Sequence, residues 1–600
     1  MRCACLLLLF FLSSAAWAAP AITSVSPHSG PTVGGNMVTI TGSGFTGATS
    51  VLFGEASAAF IVNNDSSISA TAPASVPGAV NITVAVGAQT SPISRADIYT
   101  YTGDWFAYVA VTGANSVKPI NIRTNVVGSP IPVGASPFAI AAQPDTRLAV
   151  TANFSGANAS VINLVTNTVA ATVPAGSGAT DVAITPNGLF AYVANNTANT
   201  VSVISLTGTP SLVATIVVGS QPIGIACTPD GQKVYVCNEG DDTVSVISTA
   251  SNTVIQTIVG FSAPREIAIT PNGLYAYITN LNDNTVRVVD TTTESIVGSP
   301  ITIGNTLYDI AIAPNGSFAY VVSNGTNSIY VIDTATNTVT DIFTGITDPI
   351  ALAITPDSAL AYVTSSTTSS VIVVNLTNGN IVTTIAGFLF PFGITISPDQ
   401  SPVAIFTTSG TDPVSFDASG SISPVGTISS YVWDFGDGTT LTTTSPTVNH
   451  VYTAQGSYTV TLTVTNTAGT STTTVYTGKT MNNNGSSFAR TSRQITIPPA
   501  PAPKKFAGEL EKKWHKKKLH LKLQATWKQV SGILFYEIYA YKKKIATVKA
   551  NKKLVFKKPL DPRHYYLTHL KKYKHFLTKK YKIRSVDAFG IKSRFVHLSF

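Results

Sequence analysis

Five polar side chains in the middle of the chain are the best candidates for chemistry. Each stands five or six residues before a proline that returns every 42 or 43 residues, where the other copies of the repeat carry mostly apolar residues. Equivalent places in a repeat lie side by side in the folded array, so we expect one polar sector that binds a ligand through hydrogen bonds and ionic contacts. The alternative is that the arginine simply pairs with its acidic neighbours. The five residues are Asp181, Arg265, Glu266, Tyr308 and Asp309.

The distribution of histidine argues against an enzyme. The chain has 8 His, and they are His28, His450 and six beyond residue 514, so the repeats from 104 to 400 contain none. Haem and copper sites rely on His ligands, and hydrolases or lyases commonly use His or carboxylates around a metal. We therefore predict no cofactor and no metal. The acidic loop 238–242 could hold Ca²⁺ through oxygen ligands, but a solvated turn is the favoured interpretation.

Two cysteines, Cys227 and Cys237, remain once an N-terminal signal is set aside. If the hairpin pairs residue 227 with about residue 234, the stagger separates the two sulfurs by about 10 Å, beyond disulfide reach. Cys227 also replaces an isoleucine found at the same place in other copies. The prediction is two buried free thiols.

The repeat itself predicts the elements that position these residues. In the copy around Pro186 we expect strands at 181–185, 190–194, 200–205 and 211–218, because Val and Ile alternate with Thr and Ser between turn residues. Four antiparallel strands in about 42 residues are typical of a β-propeller blade. The anchoring prolines are Pro144, Pro186, Pro229, Pro271, Pro314, Pro356 and Pro398.

The ends of the array predict a closed ring. The first copy starts at Trp105, already in its second strand, and the last copy supplies only a first strand, near residue 395. We expect these two fragments to share one sheet, which removes the exposed sheet edges. The predicted fold class is all-β, with a seven-bladed propeller over residues 104–399 flanked by immunoglobulin-like β-sandwiches.

A tyrosine-led tetrapeptide marks the second strand of most copies. These segments, together with Thr-Val-x-Val-Ile at 200 and 243, resemble the YVTN family of β-propellers over about 295 residues. The resemblance implies secreted or surface-layer-type proteins of microbes, and also brings lactone-cleaving and cofactor-bearing propellers into consideration. The tyrosines are Tyr108, Tyr192, Tyr235, Tyr277 and Tyr362.

Two further segments resemble extracellular β-sandwich families. Residues 20–102, with Gly34-Gly35 and alternating apolar runs, resemble the TIG/IPT domains, which implies a spacer or binding module and no catalysis. Residues 400–478, with Trp433-Asp-Phe-Gly-Asp-Gly438, resemble the PKD domains, which implies contacts with protein or carbohydrate. Trp433 is expected in the core. Asp434 and Asp437 could bind a cation, although a structural turn is favoured.

The two ends of the chain carry targeting and charge. Residues 1–18 combine Arg2, an apolar run and Ala16-Trp17-Ala18, and they predict a cleaved signal peptide. Residues 479–503 are predicted as a linker. Residues 504–600 hold 27 Lys+Arg against 5 Asp+Glu, a balance of +22. Within them, Leu523-Gln-Ala-Thr-Trp527 and Arg584-Ser-Val-Asp-Ala-Phe-Gly-Ile-Lys-Ser593 resemble a fibronectin type III domain, with an unusual insert at 564–580.

The basic module predicts attraction to polyanions that weakens with salt. Export favours an acidic envelope polymer or glycan over nucleic acid, and a basic surface that only aids solubility is the alternative. The lysines concerned are Lys516, Lys517, Lys518, Lys542, Lys543, Lys544, Lys571, Lys572, Lys579 and Lys580.

The sequence thus predicts an exported protein, secreted, periplasmic or at the cell surface, that binds, adheres or scaffolds without catalysis. Its partner would be an envelope glycan, an acidic polymer or a surface protein. The alternative is a lactonase-like or lyase-like propeller enzyme that acts at the channel mouth.

Overall fold

The computed structural model describes residues 19–411, 413–479, 481–499, 504–515, 518–528, 533–540, 543–549, 555–560, 581–587 and 596–597. The predicted signal peptide lies outside the described residues. Two compact units are present, one of residues 19–403, 422–429 and 464–489, the other of the described parts of 404–421, 430–463 and 490–600. No helix in the described ranges has the length and hydropathy needed to span a membrane.

The first unit begins with a β-sandwich. One sheet has the order β1-β3-β7-β6, and the other has the order β2-β10-β8-β4-β5, with β9 beside β8. Phe45, Phe53, Tyr99 and Tyr101 are fully buried between the sheets, as expected for alternating strands with one apolar face. The strands are β1 (Ala21–Ser26), β2 (Ser29–Pro31), β3 (Met37–Ser43), β4 (Ala48–Phe53), β5 (Ala56–Ser57), β6 (Ala59–Asn64), β7 (Ser67–Thr71), β8 (Gly78–Val86), β9 (Gln89–Thr90) and β10 (Ile98–Thr102), with a 3₁₀ turn at Arg95–Asp97.

Residues 106–396 form seven four-stranded antiparallel sheets. The first blade contains β11 (Phe106–Val111), β12 (Ser116–Asn121) and β13 (Ile131–Pro132), with a 3₁₀ turn at Thr112–Ala114. The next three are β14 (Pro137–Ala142), β15 (Leu148–Asn153), β16 (Asn158–Asn163), β17 (Thr168–Pro174); β18 (Ala179–Ile184), β19 (Phe190–Asn195), β20 (Thr200–Ser205), β21 (Ser211–Val217); and β22 (Pro222–Cys227), β23 (Lys233–Asn238), β24 (Thr243–Ser248), β25 (Thr253–Val259), with a 3₁₀ turn at Glu239–Asp241.

The remaining blades repeat the same pattern. They are β26 (Pro264–Ile269), β27 (Tyr275–Asn280), β28 (Thr285–Asp290), β29 (Ser295–Thr302); β30 (Leu307–Ile312), β31 (Phe318–Ser323), β32 (Ser328–Asp333), β33 (Thr338–Thr344); and β34 (Pro349–Ile354), β35 (Leu360–Ser365), β36 (Ser370–Asn375), β37 (Ile381–Ala386). The first strands of successive blades contact one another and surround the central channel.

The ring closes as the ends of the array predict. The last strand of the array, β38 (Pro391–Ile396), pairs antiparallel with β11, so that Tyr108 lies opposite Thr395. The backbone N–H of Ser397 donates to the carbonyl of Phe106, and the Trp105 indole N–H donates to the Ser397 carbonyl at 2.9 Å. The shared sheet thus gives each of the two incomplete copies the strands that it lacks.

Several tyrosines of the tetrapeptide connect their blade to the next. The Tyr192 hydroxyl donates to Asn252 Oδ1 at 2.7 Å, and the Tyr277 hydroxyl donates to Asn337 Oδ1 at 2.6 Å. Tyr362 makes the same contact with Asn125 at 2.9 Å, across the junction where the ring closes. The motif therefore has a structural function in these blades, namely to hold neighbouring sheets together.

The chain between the ring and the tail, as far as the structure describes it, forms ten strands in three small sheets. The strands are β39 (Asp399–Gln400), β40 (Thr407–Ser409), β41 (Val414–Asp417), β42 (Ile428–Asp434), β43 (Thr440–Thr443), β44 (Thr447–His450), β45 (Gly456–Asn466), β46 (Val475–Tyr476), β47 (Met481–Asn484) and β48 (Arg490–Ile497), with a 3₁₀ turn at Ser487–Ala489. Their sheets have the orders β39-β47-β46, β40-β41-β44 and β43-β42-β45-β48.

In the second unit, Trp433 is buried as predicted and packs edge-on against Phe406 at 5.2 Å between ring centroids. The expected linker at 479–503 is wrong for most of its length. Residues 490–497 form β48, which pairs with β45, and Met481–Asn484 form β47. The edge of the long strand β45 needs a partner for its backbone groups, and this demand outweighs the weak strand propensity of an Asn- and Ser-rich segment.

The described part of the tail is also composed of strands. They are β49 (Lys504–His515), β50 (Lys518–Lys528), β51 (Ile533–Ala540), β52 (Lys543–Lys549), β53 (Val555–Leu560), β54 (Tyr581–Asp587) and β55 (Val596–His597). The sheets have the orders β49-β50-β53 and β52-β51-β54-β55. Lys518, Lys543 and Lys544 start strands β50 and β52, whereas Lys516, Lys517, Lys542, Lys571, Lys572, Lys579 and Lys580 lie outside the described residues.

Candidate functional site

The propeller channel contains a cavity of about 150 Å³. Its wall includes all five polar residues predicted from the repeat, and the apolar residues that alternate with them around the ring. Phe138 and Phe392 also line this cavity, and their ring centroids lie 4.2 Å apart. The repeat thus identified residues of the channel wall. The acidic residues and the Arg265–Tyr308 pair make different contacts there. The five residues are Asp181, Arg265, Glu266, Tyr308 and Asp309.

A segment from outside the array also lines the cavity. Residues 475–479, called the strap below, follow β45 in the sequence and run past the ends of three inner strands. The backbone N–H of Ile269 donates to the Thr477 carbonyl at 3.0 Å, and the N–H of Cys227 donates to the Gly478 carbonyl at 2.7 Å. In the adjacent blade, the backbone N–H of Ile184 donates to the Lys479 carbonyl at 3.3 Å.

These contacts follow from the geometry of a propeller. Ile269, Cys227 and Ile184 are the last residues of β26, β22 and β18, and these inner strands have one edge that faces the channel. A backbone N–H on such an edge has no partner within its own sheet and needs one from elsewhere. The strap supplies one carbonyl per blade to three consecutive blades.

The side chain of Lys479 lies among the predicted acidic residues. Its Nζ is 2.9 Å from Asp181 Oδ2 and 2.7 Å from Glu266 Oε2. The Asp181 side chain retains 5% of its surface and the Glu266 side chain 15%, so both ion pairs are shielded from bulk water. The polar sector therefore already holds a cation that belongs to the protein itself.

Asp181 and Asp309 have a second role, as connectors between blades. Asp181 accepts from the N–H of Val182 in its own strand and from the N–H of Ile225 in the next blade at 3.0 Å. Asp309 repeats the pattern, since it accepts from its neighbour Ile310 and from Leu352 of the next blade at 2.9 Å. Backbone donors of two blades thus fix the orientation of both carboxylates.

Arg265 and Tyr308 form a separate contact on the channel wall. The Arg265 guanidinium lies over the Tyr308 ring, 4.4 Å from its centroid, and its Nη1 is 3.6 Å from Glu239 Oε2. The alternative that Arg265 pairs with an acidic residue is therefore observed, but the acidic partner comes from the loop after β23. Glu239 was not among the predicted site residues.

The charges in the channel change the protonation of its carboxyl groups. Burial, with the charges of Asp181 and Asp309 added, raises the pKa of Glu266 to about 8 although Lys479 opposes this shift. Burial likewise raises the pKa of Asp309. Burial alone would lower the pKa of Lys479, but the carboxylates of Asp181 and Glu266 outweigh it and raise this pKa well above its usual value. One ammonium serves three carboxyl groups, so the cluster retains protons at pH values where free carboxyls have lost them.

The aspartates of the loop considered for Ca²⁺ accept hydrogen bonds from the backbone of neighbouring loops. Asp241 accepts from the N–H of Ser220 at 2.5 Å, and Asp242 accepts from the N–H of Ala263 at 2.6 Å. In the second unit, Asp437 pairs with His450 at 2.8 Å and caps the N–H of Thr439. Among the residues that the structure describes, no group of three or more His, Cys, Asp or Glu side chains is arranged to hold a metal ion.

Cys227 and Cys237 are buried free thiols, as predicted. Residue 227 lies opposite Val234, which is the register that separates the sulfurs. Burial raises the pKa of both thiols, so neither is a reactive thiolate at neutral pH.

Lys479 is the residue that the sequence reasoning missed. It is one of only three lysines before residue 504, with Lys118 and Lys233, and it lies in a segment otherwise rich in Thr and Asn. An isolated lysine in such a segment indicates only weakly that its ammonium group pairs with buried carboxylates. Its position in the channel depends on how the chain returns after β45, which no local pattern contains.

Family models match three segments of the chain. Residues 20–102 match the IPT/TIG domain, and residues 399–480 match the PKD domain. Residues 164–257 and 249–394 match the model described as "Lactonase, 7-bladed beta-propeller". The chain is therefore a multidomain, all-β protein with a TIG domain, a seven-bladed propeller and a PKD domain. The fibronectin-like character of the tail stays a prediction.

A curated relative matches a small part of the chain. It is a microbial collagenase of Vibrio alginolyticus, 38% identical over 81 residues, which are 13% of this chain and 10% of the collagenase. The chain thus spans about a tenth of the length of that relative.

Solved structures show similarity at the level of the fold. A functionally unknown protein from Desulfotomaculum acetoxidans has 19% identity and a TM-score of 0.45, with 49% of this chain and 98% of that chain covered. A putative 6-phosphogluconolactonase from Bacteroides fragilis has 16% identity and a TM-score of 0.43, with the same coverage. Likenesses of this level carry no inference about activity.

Proposed function

We propose that this chain, with its TIG, propeller and PKD domains, is an exported binding or surface-scaffold protein without catalytic activity. TIG and PKD domains are typical of extracellular proteins, and the signal-peptide pattern at 1–18 agrees with export. The propeller serves as a rigid platform. The basic tail attracts an acidic polymer or glycan, and the partner is of that kind or a surface protein.

One observation carries this proposal: the polar sector of the channel is filled by Lys479. The ammonium contacts Asp181 and Glu266. The Asp181 and Asp309 carboxylates each also accept from a backbone N–H of the next blade. A general base or nucleophile must reach the substrate and must be free to exchange protons with it. Carboxylates engaged in this way support a structural role more than a catalytic one.

A propeller enzyme, lactonase-like or lyase-like, is the second candidate. The match to the lactonase propeller model and the raised pKa of Glu266 favour it, because perturbed pKa values cluster at catalytic sites. A carboxyl group that titrates near pH 8 has a pKa suited to general acid or base catalysis at neutral pH.

Two assays on the full chain distinguish these functions. We expect no turnover of sugar lactones or of uronate-containing polysaccharides above the buffer rate. We also expect binding on an array of glycans and acidic polymers, and loss of that binding when residues 504–600 are removed. Turnover by the wild type that disappears in both Glu266→Gln and Asp309→Asn would instead establish the enzyme. Glu55→Gln, at a carboxylate whose side chain is 89% exposed, is the control substitution.

A further inference from the structure

We propose that the propeller channel is a peptide-binding site that reads a lysine side chain, and that the protein keeps this site filled with its own strap, residues 475–479. The ligand class is a peptide with glycine directly before lysine. The proposal rests on the binding role given above and specifies a site for it in the propeller.

The backbone of the strap is bound through main-chain carbonyl groups, which an external peptide also carries. Consecutive carbonyl groups, those of Thr477, Gly478 and Lys479, accept from the last N–H of three consecutive inner strands at 3.0, 2.7 and 3.3 Å. Main-chain pairing to an open strand edge provides affinity without regard to sequence, whereas pockets for individual side chains provide the specificity. The channel has both components.

The specificity pocket is built for an ammonium group. The Nζ of Lys479 has Asp181 at 2.9 Å and Glu266 at 2.7 Å. The Asp309 carboxylate also acts on Lys479 and is fixed by the N–H of Leu352. These acids come from three different blades, so the closed ring holds them in place before a ligand arrives, and a neutral side chain would leave them buried without a counter-charge.

The residue before the lysine is restricted to glycine. Gly478 has φ +116°, and a Cβ added to it would lie 2.9 Å from the Cβ of Ala226. Both the backbone conformation and the space exclude a larger residue. Three residues before the lysine, the Tyr476 hydroxyl lies 2.6 Å from the Ile184 carbonyl and the ring is buried, which gives a second contact that depends on side-chain identity.

The strap competes with any external peptide because it belongs to the same chain. A tethered segment acts at an effective concentration on the order of millimolar, so an external peptide binds only when the strap leaves or is weakened. The strap thus shows how a peptide ligand would bind, and it also competes with that ligand for the site. The site becomes open to a peptide partner when the strap is displaced.

The test uses the full chain with the strap expelled. Gly478→Val brings a side chain against Ala226, and Lys479→Ala in the same protein removes the ammonium group. A fluorescent peptide with the sequence of residues 473–482 is titrated against this double variant and against wild type, with anisotropy as the readout. A matched peptide with methionine in place of the lysine is the control.

We expect the double variant to bind the lysine peptide and to bind the methionine peptide about 10- to 100-fold more weakly. Wild type should bind neither, because its own strap fills the channel. Equal binding of the two peptides by the folded variant, or binding of neither, would overturn the proposal. Folding is verified by circular dichroism and a cooperative thermal transition.

Lys479→Ala alone is a second variant in case the double variant does not fold. It keeps the glycine and the main-chain contacts, so the lysine peptide must displace a strap that has lost only its ammonium group. Absence of lysine-dependent binding at millimolar peptide in this folded variant would equally reject the proposal. The lactone and glycan assays report separately on the proposed function, so its failure is distinguishable from the failure of this inference.

Discussion

At the scale of single residues, one lysine, Lys479, is the ionic partner of the acidic residues in the polar sector of the propeller. The repeat shows where Asp181, Glu266 and Asp309 must lie, since their places in three copies define three positions on the channel wall. It does not show that Lys479 lies among them. The cluster has fewer cations than carboxyl groups, and this imbalance has a consequence for stability.

We predict that stability decreases as the pH rises through the range in which Glu266 titrates. Its pKa is about 8 in the folded protein and 4.5 in an unfolded chain. Between these values the folded state retains a proton that the unfolded state has released, so folding is favoured at low pH and this contribution is lost as the pH approaches 8. Between pH 6.5 and 8 the loss should be about 1 to 2 kcal/mol.

Chemical unfolding of the full chain at several pH values measures this effect. Glu266→Gln should flatten the profile above pH 6.5, whereas Glu55→Gln, at an exposed carboxylate, should keep it. Asp399, whose pKa is raised to about 6 by burial, contributes mainly at lower pH and does not obscure the comparison. A Gln variant with the same slope as wild type above pH 6.5 would show that Glu266 does not titrate there.

At the scale of elements, the tyrosine in the second strand of a blade acts through its hydroxyl group. Tyr277 is fully buried and donates to Asn337 of the next blade, and Tyr192 and Tyr362 do the same in their blades. The sequence shows the tetrapeptide and its spacing. The partner, about 60 residues further along the chain, is visible only when two sheets lie side by side.

We predict that Tyr277→Phe lowers the free energy of unfolding by about 1 to 2 kcal/mol, because it leaves the part-buried Asn337 oxygen without its donor. Tyr275→Phe is the matched control. It lies on the same strand β27, and its hydroxyl has no hydrogen-bond partner among the described residues, so the change should be within about 0.5 kcal/mol. Urea denaturation of both variants measures the difference. Equal effects would mean that ring packing, and not the hydroxyl, matters at this position.

At the scale of the whole molecule, charge is divided sharply along the chain. Residues 504–600 carry a balance of +22, and the remaining residues carry 11 Lys+Arg against 24 Asp+Glu, a balance of −13. We expect a charge of this size to attract polyanions to the basic module.

We predict that a heparin resin retains the full chain and releases it only at high salt. A variant without residues 504–600 should elute at a lower salt concentration. The reason is the release of counterions from the polymer, which makes the affinity fall steeply with salt. Elution of the two proteins at the same salt concentration would contradict the role of the tail. Retention on a neutral polysaccharide resin is the control, and it should be absent for both.

The sequence by itself determined the architecture. Seven prolines at a constant interval, an array that begins in a second strand and ends in a first strand, and Trp433 in its motif all predict features that the structure contains. Patterns of this kind are local or periodic, and a repeat necessarily brings equivalent positions together. The buried thiols followed from strand register in the same way.

Only the tertiary structure decided what the polar sector contacts. The strap, Glu239 beside Arg265, and the strand β48 in place of a linker all depend on contacts between segments remote in sequence. The strap enters the channel because open strand edges and buried carboxylates need partners, and its carbonyl groups and its one ammonium group satisfy them. The need is visible in the repeat, but the segment that meets it is fixed by the path of the whole chain.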